Sequence, residues 1–152
     1  MREYIFRGKR TDGDGWVIGR NILHVANEGG VYIVQTGQGL CGMAVDGRSI
    51  NVMMIPFLEI DPETVGQFTG LTDKNGKKIF EGDIVCEEFC GKKVGVVTFG
   101  MGTFDSGIYK YNGWHIRDRH GDVDHNELFI YDDVKLEVIG NIHDNPELLK
   151  GE

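Results

Sequence analysis

Glycine accounts for 23 of the 152 residues, about twice the usual ~7% share, and its placement limits what this chain can fold into. The glycines follow no three-residue period, and only three prolines accompany them, so a collagen-like rod is excluded. Inside a helix each glycine costs about 1 kcal/mol relative to alanine, whereas in a tight reversal it costs almost nothing. A helical bundle is therefore disfavoured and a turn-rich β protein is expected. Hydrophobic residues at 40% and charged residues at 26% are enough for a packed core and rule out wholesale disorder.

Short β-branched or aromatic runs separated by Asp/Gly/Asn clusters mark the strands. Tyr4–Gly8 and Trp16–Gly19 flank Thr11–Gly15 as a hairpin, and Val31–Gln35 follows Gly29-Gly30. Met43–Val45 and Ser49–Val52 flank Asp46-Gly47-Arg48 as a second hairpin. Ile60–Glu63 reads as a turn between an N-terminal β section, residues 1–61, and a second section, residues 62–152. In the latter, Thr64–Leu71, Lys78–Phe80, Ile84–Phe89, Val94–Phe99 and Val134–Ile139 are expected strands. Asn145-Pro146-Glu147 supplies a helix-start signal, a cap residue followed by proline and an acid, and predicts a short C-terminal helix.

The net charge is −8, which repels phosphate backbones and makes nucleic acid a disfavoured partner. Residues 77–152, with 15 acids against 9 bases, carry −6 of it. A local basic group at Arg2, Arg7, Lys9 and Arg10 is one place where nucleic acid would be met, and its ordinary reading is a solvated face. Three cysteines, Cys41, Cys86 and Cys90, cannot all pair within one chain. With no signal-peptide pattern and no apolar run of membrane-spanning length, reduced thiols in a reducing cytoplasm are the simplest expectation, with no membrane association.

Catalytic chemistry has one candidate segment, His115 to His125. His115, His120 and His125 with Asp118, Asp122 or Asp124 offer imidazole and carboxylate ligands, and a metal-bound water would make a hydrolytic nucleophile. The histidines recur every five residues, which places them on one edge of neither a strand nor a helix. Asp122-Val123-Asp124 opens like a calcium loop but lacks its glycine and glutamate at the required offsets. The preferred reading of 117–133 is a solvated acidic loop. Cys86 and Cys90 have no second ligand pair at zinc spacing. Gly37-Gln38-Gly39-Leu40-Cys41-Gly42 spells a dinucleotide fingerprint without the helix that such a fingerprint must open. No catalytic residue and no cofactor is assigned.

Two segments carry a resemblance. Thr64-Val65-Gly66-Gln67-Phe68-Thr69-Gly70-Leu71-Thr72-Asp73-Lys74-Asn75-Gly76-Lys77-Lys78-Ile79-Phe80-Glu81-Gly82-Asp83-Ile84-Val85 is the first. Val138-Ile139-Gly140-Asn141-Ile142-His143-Asp144-Asn145-Pro146-Glu147-Leu148-Leu149 is the second. With the Met1-to-Arg7 opening, this arrangement resembles the YopX protein family of bacterial phages and prophages. The resemblance implies a β-rich fold whose C-terminal part is an SH3-like small barrel, in a phage-associated protein with no established activity. The motif carboxylates and amides read as acceptors for backbone donors, not as substrate ligands. The expected role is a non-enzymatic protein–protein interaction or self-assembling β module that binds a host or phage protein and forms a homo-oligomer through open strand edges. The alternatives are a nucleic-acid-associated small barrel and a metal-dependent hydrolase built on His115–His125.

Overall fold

The computed structural model describes residues 3–25, 29–35, 40–45, 48–53, 56–87, 93–104, 109–118, 123–127 and 136–150. It is mainly β, with only antiparallel strand pairing among the described residues, as the glycine distribution requires. The chain divides into two compact units, Glu3–Gln67 and Phe68–Glu152.

In the first unit, strand β1 (Phe6–Lys9) pairs with β2 (Trp16–Gly19), bringing Phe6 opposite Gly19 and Lys9 opposite Trp16. Gly13 and Gly15, at φ 89° and 82°, let the chain reverse between them where a side chain would be strained. Strands β3 (Asn21–Val25) and β4 (Gly30–Val34) form a second hairpin. Next come β5 (Leu40–Val45) and β6 (Arg48–Met53), paired with each other. Strand β7 (Phe57–Ile60) adds to β4 to give the order β3-β4-β7.

Asp61 then caps a 3-10 turn, Pro62–Thr64, its Oδ1 accepting from the Glu63 amide at 3.0 Å. The turn delivers β8 (Gly66–Thr72), whose first two residues pair with β1. Val17, Val31, Ile33 and Ile60 form the core, with Ile22, Leu58 and Val65 packed against it. At Gly19 a Cβ would lie 2.7 Å from the Val34 carbonyl oxygen and inside the Ile33 side chain. Gly19→Ala is expected to cost about 1–3 kcal/mol by overpacking, read as a lower urea midpoint at unchanged m-value.

In the second unit, the remainder of β8 pairs with β9 (Lys78–Phe80), setting Phe68 opposite Phe80 with ring centroids 5.6 Å apart. Strands β10 (Asp83–Glu87), β11 (Lys93–Phe104), β12 (Tyr109–Asp118), β13 (Val123–Glu127) and β14 (Leu136–Asn141) form a five-stranded sheet in the order β13-β12-β11-β10-β14. Ile79, Val85, Val97, Trp114, Ile116, Leu136 and Val138 make its core, with Leu71 against them.

Three expectations change here. Among the described residues the sheet is not closed: β13 and β14 lie at its two ends and do not pair. The acidic segment is not a loop throughout, because β13 runs through it, held by β12 in the register His115 opposite Glu127 and Arg117 opposite Val123. The terminal helix is a single 3-10 turn, Pro146–Leu149. Asn145 does not cap it; its Oδ1 faces the Asn141 amide at 3.4 Å instead.

Candidate functional site

The polar residues of the two sequence motifs hold the fold together. Thr72-Asp73-Lys74-Asn75-Gly76 turns the chain between β8 and β9, with Gly76 at φ 79°. Asp73 is buried, and its Oδ1 accepts from the amides of Asn75 at 2.8 Å and Lys77 at 2.9 Å. Its Oδ2 accepts from the Val138 amide, 65 residues away, at 3.1 Å. Burial pushes the Asp73 carboxyl upward, but the amides of Lys77, Val138 and Asn75 outweigh it and hold the group below the usual carboxylate range. The Lys74 amide donates to the Leu136 carbonyl at 2.9 Å, and its Nζ lies 2.8 Å from Glu137. The turn is thereby fastened to β14.

Asp83, fully buried, accepts from the Phe80 amide at 2.8 Å. Asn141 Oδ1 accepts from the His143 and Asp144 amides, each at 2.9 Å. These groups are occupied by backbone donors, as their turn positions suggest.

The hydrolase candidates are spread differently. His115 lies in β12 with no solvent exposure. Its Nδ1 is 3.2 Å from the Gly113 carbonyl, its Nε2 has no hydrogen-bond partner among the described residues, and Tyr111 meets it edge-on at 6.2 Å. Asp118 ends β12, and Asp124 and His125 belong to β13; the side chains of these three lie outside the described residues. His120 and Asp122 lie outside them altogether. No cluster of three or more His, Cys, Asp or Glu side chains suited to a metal occurs among the described residues.

Other sequence features resolve as structure. Leu40, Cys41 and Gly42, the end of the fingerprint-like run, enter strand β5 and not a helix. Cys86 is buried in β10, and Cys90 lies outside the described residues. In the basic group, Arg7 is buried with its guanidinium 4.9 Å from the Trp16 ring. Arg10 pairs with Asp12 and, at 3.4 Å, with Asp14.

What sequence reasoning missed is a two-stranded ribbon. Among the described residues strand β10 pairs with β11 only from Lys93 to Val96, and β13 reaches β12 only at His115 and Arg117. Beyond those points β11 and β12 continue as a pair to Phe104 and Tyr109, a run of about 20 Å at the usual rise per strand residue. One face of this ribbon is covered by Tyr111: its ring is where a Cβ at Gly102 would fall, and it approaches Gly113 at 3.6 Å. The other face presents Phe99 at 48% and Met101 at 64% exposure, with Phe99 stacked edge-on against buried Trp114 at 5.0 Å. Gly100 and Gly102 interrupt the apolar alternation that marks a strand, which is why the sequence reads as ending at Phe99.

The architecture defines an all-antiparallel β protein in two compact units whose motif side chains shape turns. Matching the YopX protein family over residues 17–150, the chain belongs to that family. Among solved structures, it is similar to protein EF1440 from Enterococcus faecalis at 21% identity and a TM-score of 0.46, over 98% of this chain and 99% of that one. No curated protein sequence matches it.

Proposed function

We propose that this chain is a non-enzymatic protein–protein interaction module, an accessory protein of a phage or prophage acting in the bacterial cytoplasm. The observation that carries the reading is the exposed apolar face of the ribbon, Phe99 and Met101, set on a pair of hydrogen-bonded strands. Large side chains on a two-stranded extension add little to the core of their own unit, and they are the kind of surface that proteins use to bind one another. On this reading the second section is an SH3-like barrel left open between β13 and β14 among the described residues, with the ribbon as its appendage. The irregular registers at Ile84/Val85 and at His115/Arg117 support curvature of that kind, because bulges bend and twist a sheet. No helix among the described residues is long and apolar enough to cross a membrane.

The test is affinity capture from infected or lysogenic cells with the wild type and with a Phe99→Ser/Met101→Ser variant. A protein retained by the wild type is expected to be lost, or reduced about tenfold or more, with the variant. Equal retention by both, with the variant shown to be folded, removes the ribbon from the reading.

A further inference from the structure

We infer that the open edge of strand β11, Thr98 to Phe104, pairs antiparallel with the same edge of a second copy of this chain, centred on Met101. The inference rests on the interaction reading above and names its partner.

The backbone geometry comes first. In an antiparallel ladder, alternate residues direct their N–H and C=O to one neighbour or the other. The Val97 carbonyl accepts from the Gly82 amide at 2.9 Å, on the side of β11 away from β12. By alternation the peptide groups of Phe99, Met101 and Thr103 point to that same side. Among the described residues no strand pairs with β11 there beyond Val96. Those donors and acceptors form a template for another strand.

The sequence of the edge then selects the partner. No residue from Val94 to Phe104 is charged, in a chain of net charge −8. Devices that normally protect an edge, such as lysine or proline, are absent from it. A basic or acidic partner would find no charge on the edge to recognise. A second −8 copy, repelled elsewhere, meets no like charge on this segment.

The segment is also complementary to itself. Read outward from Met101, glycine stands on both sides at 100 and 102, and Phe99 is matched by Thr103. Antiparallel pairing about Met101 sets Met101 opposite Met101, Gly100 opposite Gly102, and Phe99 opposite Thr103. Aromatic and β-branched residues facing each other are favourable cross-strand partners, and the contact is isologous, so it closes as a dimer. The outward-pointing residues 99, 101 and 103 then exchange about six backbone hydrogen bonds. The exposed Phe99 and Met101 of the two copies join into one apolar strip on one face of a four-stranded sheet.

The test is a charge-swap at the symmetry axis, read by sedimentation. The wild type is expected to dimerise in the micromolar range. Met101→Lys and Met101→Glu, each placing like charges opposite one another, are expected to weaken the dimer about tenfold or more. An equimolar mixture of the two variants is expected to recover it. Amide exchange on the wild type is independent of any variant: the amides of Phe99, Met101 and Thr103 should gain protection as concentration rises, while those of Ile18 and Leu23 do not. A wild type that stays monomeric, single variants that dimerise like wild type, or a mixture that does not recover overturns the inference. If the copies do not pair but Phe99→Ser/Met101→Ser still abolishes capture of a cellular partner, the interaction reading stands and the second copy is removed from it.

Discussion

Asp73→Ala is expected to destabilise the protein by about 3 kcal/mol, lowering the melting temperature by about 10 °C for a chain of this length. One carboxylate accepts three backbone amides, those of Asn75, Lys77 and Val138. The turn amides can turn to water in the variant, because Asn75 and Lys77 are exposed. The Val138 amide cannot, because Val138 is buried in the core of the second unit, and an abandoned buried donor costs its full desolvation penalty. Asp73→Asn keeps the shape and one oxygen but turns an amide group toward a donor. It is expected to cost about 2 kcal/mol.

The same carboxylate makes stability depend on pH. The folded-state pKa of Asp73 lies below its ordinary value of 3.8, so the unfolded chain takes up the proton first as acid is added. The contribution of Asp73 is therefore complete above the ordinary value, shrinks as pH falls below it, and is gone once pH has passed through the lowered folded value. Urea midpoints measured from pH 7 to pH 2.5 should show the gap between wild type and Asp73→Asn narrowing only below about pH 4. A gap that stays constant across that range would mean that the ionised carboxylate is not what holds β14 to the turn.

Much of this fold was legible because its strands announce themselves locally. The hairpin of β1 and β2, the β5–β6 pair and the β10–β11 pair each join β-branched or aromatic runs across polar or glycine-rich turns. Strand β3 was not legible: Asn21, Leu23 and His24 are all exposed, so it carries no alternating pattern and exists because β4 offers it an edge. Strand β13 is acidic and reads as loop; its register comes from β12. The motif residues could be read as turn acceptors from their spacing to glycine. That Asp73 also reaches Val138 depends on a contact across 65 positions, which no local pattern encodes. The ribbon was hidden by the glycines that shape it, since Gly102 leaves room for the Tyr111 ring while erasing the strand signal. The chemistry suggested for His115 to His125 came from residue types alone. Folding placed His115 with no solvent exposure, where an imidazole is first a packing group.

Trp114→Ala is expected to cost about 3–5 kcal/mol and to loosen the ribbon along with the core. Trp114 is 2% exposed and packs in the core with Val97, Ile116, Val85 and Val138. On β12 it stands opposite Phe99 in the ladder, and the two rings meet edge-on at 5.0 Å. Removing the indole leaves a cavity beneath the root of the ribbon and takes from Phe99 the ring that orients it. Among the described residues its Nε1 has no hydrogen-bond partner, and on that footing the indole gains nothing from its polar end. Trp114→Phe should therefore cost much less, about 1–2 kcal/mol, as lost ring volume offset by relief of an unsatisfied donor. Denaturant midpoints separate the two variants. Amide exchange at Gly100 and Gly102, whose peptide groups face β12 by the same alternation, measured at concentrations too low for copies to associate, separates core loss from ribbon loss: protection should fall with alanine and persist with phenylalanine. Equal loss in both variants would mean that the indole N–H, and not the ring packing, anchors the ribbon to the core.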